Sequence, residues 1–133
     1  MELTYAIVAS LAFMAILFTQ SGLDKVFDFN GNMEWLKGHF GSSPLASVVK
    51  PMVVLLTLME LASGLFSIVA VVYVLGEMEN AKCVANIAFG LCSASFLALF
   101  FGQRMAKDYA GAASLPSYFI IPLIGFVLLY LLG

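Results

Sequence analysis

Four apolar runs, each about as long as a bilayer crossing, are separated by polar connections. They cover 3–20, 51–75, 82–102 and 116–132. About 20 residues rising ~1.5 Å each cross the ~30 Å of a hydrocarbon core. Backbone N–H and C=O groups in lipid must be satisfied within their own segment, so each run is expected to be a helix. The pattern predicts an all-α fold, an integral membrane four-helix bundle formed by one domain over residues 1–133.

The connections refine this picture. The first, SGLDKVFDFNGNMEWLKGHFGSSP, is the longest polar stretch, yet Phe27, Phe29, Met33, Trp35, Leu36 and Phe40 run through it. Asn32 is a plausible N-cap, Met33, Leu36 and Phe40 share a face, and Gly41 can end the turn. This predicts a short amphipathic interfacial helix over Met33 to His39, with Trp35 at the lipid–water boundary. An ordered loop folded over the bundle mouth is the equal alternative. Pro44 can open the second helix, and Pro51 either kinks it or starts its membrane portion. The connection from Gly76 to Lys82 is short enough to make its helices antiparallel neighbours. The fourth helix is expected to begin near Pro116 and to bend at Pro122.

Polar residues inside the spans carry the most information. Glu60 lies well within the second run, where a charge costs about 2.5–3.5 kcal/mol on insertion scales. It should therefore face protein. Thr57, Glu60, Ser63, Gly64 and Ser67 fall within about a third of the helix circumference at ~100° per residue. An intramembrane acid is either a proton carrier or substrate contact, or a structural group that holds the bundle together. In the third run, Gly90, Ala94, Ala98 and Gly102 recur every four residues, a spacing that lets helix backbones approach closely.

A second constellation gathers at one membrane face. Asp24 and Lys25 follow the first run, and Gln103, Arg104, Lys107 and Asp108 follow the third. Arg104 and Lys25 could hold an anionic or quinone-like head group. The competing expectation is an ion-pair network that seals the bundle end.

Composition narrows the classes. Of 133 residues, 62% are hydrophobic and only 11% charged, which the surface of a soluble domain could not accommodate. The net charge of −2 without basic clusters gives no reason to expect a nucleic-acid partner. The first run has no basic flank and no clear cleavage site, so it is expected to be retained. Lys25, Lys37, Lys50, Arg104 and Lys107 lie on one side of the predicted bundle and Lys82 on the other. The positive-inside rule then places both termini on the outer face. His39 is the single histidine and cannot make a bis-histidine haem site, and no metal-ligand set is evident. Cys83 and Cys92, nine apart on one helix, would be ~13 Å apart, too far for a disulfide.

Gly22-x-x-Lys25, Glu60-x-x-x-Gly64 and the segment Gln103-Arg104-Met105-Ala106-Lys107-Asp108 resemble the DoxX family of small bacterial membrane proteins. SGLDKVFDFNGNMEWLKGHF looks like the form found in Bacteroidetes-type members. The resemblance spans nearly the whole chain and implies a multi-pass protein of the bacterial inner membrane. It further implies a link to quinone-dependent membrane oxidoreductases, since the family looks related to DoxD, a thiosulfate:quinone oxidoreductase subunit. Nothing in this chain binds a redox centre alone, so such a role needs a partner subunit or a diffusible quinone. Three readings follow: an accessory subunit of a redox or respiratory complex, a scaffold or assembly factor for another membrane protein, or a small proton-linked transporter using Glu60. Besides lipid, another membrane protein or a second copy of the chain is the expected partner.

Overall fold

The computed structural model describes residues 2–28, 31, 34, 49–105 and 109–132. They form four helices, α1 (Glu2–Phe27), α2 (Val49–Leu75), α3 (Ala81–Met105) and α4 (Tyr109–Leu132). Each contains a stretch long and apolar enough to cross a membrane. α1 packs on α2, α2 on α3, α3 on α4, and α4 returns to α1. The result is an up-down-up-down ring of four.

Three boundaries differ from the hydropathy pattern. α1 continues through Phe27, so Ser21, Gly22, Asp24 and Lys25 are helical. Their polarity marks where the lipid ends, whereas the helix itself needs only good backbone geometry and a partner to pack on. Pro51 is helical, near the first described residue of α2, and Pro44 lies outside the described residues. α4 starts at Tyr109 and runs through both Pro116 and Pro122. Prolines are tolerated inside membrane helices when neighbouring groups take up the freed carbonyls. The expected interfacial helix over 33–39, with Trp35, lies outside the described residues apart from Glu34.

On α2 the arrangement of side chains is the inverse of that in a soluble bundle. On α2 the buried positions are Val53, Thr57, Glu60, Ser63, Gly64, Ser67, Ala70 and Val74, while Leu55, Leu58, Leu65, Phe66 and Ile68 face outward. Lipid is as apolar as leucine, so large aliphatic groups gain little by turning inward. Small and polar residues gain close packing and hydrogen bonds there.

Two apolar clusters fill the interior. Near the chain termini, Ile7 and Leu11 meet Ala70, Val74, Ala85, Ala88, Phe89 and Leu129. The Phe89 ring fits against Gly125, where an added Cβ would come within 2.4 Å of it. Further along, Met14, Phe18, Cys92, Phe96 and Leu115 form the second cluster, with the Phe18 and Phe96 rings 4.8 Å apart.

The α2–α3 turn carries a local strain. Met78 N–H donates to Tyr73 C=O and Glu77 N–H to Val74 C=O, the paired bonds of a Schellman cap. The cap requires a left-handed residue, and Glu77 occupies it at φ 53°. Glycine takes this conformation without a Cβ penalty. Glu77→Gly is therefore expected to raise stability by about 0.5–1 kcal/mol, read as a higher midpoint in detergent unfolding.

Candidate functional site

The register of α1 on α2 is set by two glycines. A Cβ on Gly64 would lie 2.4 Å from Thr19 Oγ1 and 2.9 Å from the Thr19 backbone nitrogen. A Cβ on Gly22 would lie 2.6 Å from Leu61 Cδ2 and 3.3 Å from the Leu61 backbone nitrogen. The Gly64 contact leaves no room for a side chain against the Thr19 backbone, so α1 and α2 approach closely here.

One turn beyond this crossing, Lys25 Nζ stands 2.9 Å from Glu60 Oε1. Helical side chains lean toward the N-terminus of their own helix. Because α1 and α2 are antiparallel, Lys25 leans into the bundle and Glu60 leans out toward the end where α1 stops. The opposed tilts bring the two heads together. Lys25 also donates to Ser21 Oγ at 3.1 Å, one turn back on α1. The Glu60 side chain is 0% exposed and that of Lys25 18%, so the acid is fully enclosed and the amine reaches the rim. The contact is a close ion pair without hydrogen-bond alignment, and among the described residues neither Glu60 oxygen accepts a hydrogen bond. Lys25 also lies in the last turn of α1, where the helix dipole favours a cation.

The rest of the α2 stripe is engaged with α3 or with its own backbone. Thr57 Oγ1 donates to Val53 C=O at 2.8 Å. Ser63 Oγ donates to Met59 C=O at 2.7 Å, which leaves Ser95 to donate across the interface to Ser63 at 2.9 Å. Ser67 Oγ and Cys92 Sγ are 3.6 Å apart. The buried polar column thus links α2 to α3 by hydrogen bonds and to α1 by charge.

The constellation expected at the bundle end divides. Lys25 is turned to Glu60, while Asp24 is exposed. Gln103 and Arg104 belong to the last turns of α3; Arg104 is exposed, and Gln103 Oε1 is buried with no hydrogen-bond partner among the described residues. Lys107 and Asp108 lie outside the described residues. In the small-residue series of α3, Gly102 is buried and Ala98 half-buried, but Ala94 is exposed and a Cβ on Gly90 would meet nothing within 4 Å. Gly90 and Ala94 therefore face away from the bundle. Among the described residues no group of three or more His, Cys, Asp or Glu could hold a metal ion.

Sequence reasoning placed Lys25 with the α3 cations and did not pair it with Glu60. The signal was available in the spacing Gly22-x-x-Lys25 against Glu60-x-x-x-Gly64: two glycines and two opposite charges in antiparallel order. Among the described residues, three of the surface cavities are lined mainly by apolar side chains, one of them between α3 and α4 and one beside Val26, Thr57 and Leu61. None of the three is lined by Lys25, Glu60 or Arg104. No family model, curated protein or solved structure matches the chain.

Proposed function

We propose that the chain is an accessory subunit of an inner-membrane complex and acts through a partner, without chemistry of its own. The observation that carries this reading is the use made of Glu60. The intramembrane acid, the residue best suited to move a proton or touch a substrate, is enclosed and committed to Lys25 as a clamp between α1 and α2. The resemblance to DoxX-like proteins points to a quinone-linked redox or respiratory assembly. There, flavin, haem or quinone chemistry would belong to the partner or to a diffusible quinone.

Orientation follows the same logic. Apart from Lys25, which is paired with Glu60, the sequence carries Lys37, Lys50, Arg104 and Lys107 toward the end where α1 stops and Lys82 toward the other. That excess favours the cytoplasmic side for this end and the periplasm for both termini.

A second reading, a scaffold or assembly factor for another membrane protein, is favoured by the outward face of α3. Asn86 and Ala94 are exposed and Gly90 is open, a face on which a partner helix could approach closely. Gly90→Leu should not lower the stability of the isolated chain, because a Cβ there meets nothing within 4 Å and leucine is the better helix former. The same change should abolish recovery of a partner docked there, and undiminished recovery would remove α3 as the docking face.

The deciding experiment is gentle extraction into nanodiscs at native abundance, followed by mass spectrometry of proteins and lipids. A stoichiometric partner bearing flavin or haem, or co-purified quinone, supports the first reading. A partner without a redox centre supports the second. A chain recovered alone and monomeric sinks both.

A further inference from the structure

The cavity between α3 and α4 holds about 210 Å³ and is lined by Phe96, Leu97, Phe100, Leu115, Pro116 and Phe119. Its floor is closed, with Phe96 2% and Leu115 9% exposed. Its sides are open, with Leu97 58% and Phe100 38% exposed and Pro116 on the surface. In a bilayer this groove opens sideways onto lipid. Pockets that enclose whole small molecules run to about 300–1,000 Å³. A groove below that range, walled by aromatic and aliphatic groups, suits a length of hydrocarbon chain and not an enclosed head group.

Charge stands at one end of the groove. Arg104 follows Phe100 by four residues and Leu97 by seven, so the three share one helix face. A helical side chain leans over the turn on the N-terminal side of its own Cα, so Arg104, beyond the lining residues, leans toward the Phe100 end of the groove. Arg104 occupies the last turn of α3, at the membrane boundary, and is exposed. It takes part in an interaction within the fold, and a guanidinium carries five N–H donors.

We propose that this groove, with Arg104 at its rim, binds an anionic phospholipid: one acyl chain lies along the phenylalanine rings and the phosphate rests on the guanidinium. Arginine matches phosphate oxygens in bidentate fashion. A zwitterionic lipid offers the same chain, but its own ammonium group competes for the phosphate. The net charge of the head group is therefore what the site selects. The assignment stands independently of the accessory-subunit reading, since it needs neither Glu60 nor a protein partner.

The test uses the full chain in nanodiscs containing equal phosphatidylglycerol and phosphatidylcholine. Native mass spectrometry should show phosphatidylglycerol retained about fivefold over phosphatidylcholine, the preference expected for one basic residue at an anionic surface. Arg104→Gln should bring the ratio close to one while lipid is still retained. A reporter locates the site: in the Trp35→Phe background, Phe119→Trp should be quenched more by brominated-chain phosphatidylglycerol than by brominated-chain phosphatidylcholine. Val127→Trp, on the exposed surface of α4, should be quenched equally by both. A ratio near one in the unmodified chain overturns the proposal. So does a preference that survives Arg104→Gln, or one equally strong at Val127→Trp. If Phe119→Trp does not fold, the two mass-spectrometric ratios decide alone.

Discussion

Lys25→Met is expected to lower the stability of the bundle by about 3 kcal/mol, because it leaves Glu60 enclosed without an opposite charge. Glu60→Gln should cost less. The amide is neutral and nearly isosteric, and Lys25, already partly exposed, can extend its head to the membrane surface. The double variant Lys25→Met/Glu60→Met should recover most of the loss, since replacing both partners of a buried pair by apolar groups is often neutral. Unfolding of the four proteins in mixed micelles, followed by helical circular dichroism, measures all three differences. A Lys25→Met protein within 0.5 kcal/mol of the parent would show that the clamp contributes nothing, and the accessory-subunit reading would lose its main support.

The second large effect belongs to the α1–α2 crossing. Gly64→Ala forces a methyl group against the backbone of Thr19, at 2.9 Å from its nitrogen and 3.1 Å from its Cα, and backbone cannot step aside. The helices must separate, at a cost of about 1–3 kcal/mol by analogy with overpacked cores. Gly22→Ala should cost distinctly less, because its nearest neighbour is the end of the Leu61 side chain, which can rotate. Separation also moves Lys25 from Glu60. The further loss caused by Lys25→Met should therefore shrink in the Gly64→Ala background, a non-additivity that the same unfolding assay reads. Equal costs at Gly22 and Gly64 would mean that the crossing yields uniformly and does not set the register.

What the sequence made legible, and what it hid, follows from which forces hydropathy records. It records transfer into lipid, so the four spans and the inward face of Thr57, Glu60, Ser63 and Ser67 were readable in advance. It does not record where a helix stops once it has left the lipid. Ser21, Gly22 and Asp24 therefore looked like the start of a connection, and Lys25 was grouped with distant cations. Proline has the same ambiguity: at Pro116 it suggested a first turn, yet α4 begins seven residues earlier, at Tyr109. The small-residue series of α3 was the most regular packing signal in the chain. The close α1–α2 approach instead uses two glycines on different helices, a pairing visible only when α1 and α2 are set side by side.

The opposed tilt of Lys25 and Glu60 bears on how the chain is made. During synthesis the lysine leaves the ribosome 35 residues ahead of its carboxylate, and the carboxylate alone, deep in its span, pays about 2.5–3.5 kcal/mol on entering hydrocarbon. Neutralisation is available only when both rods are side by side, so the first two should partition from the translocation machinery as one hairpin, with the second pair following onto a preformed half.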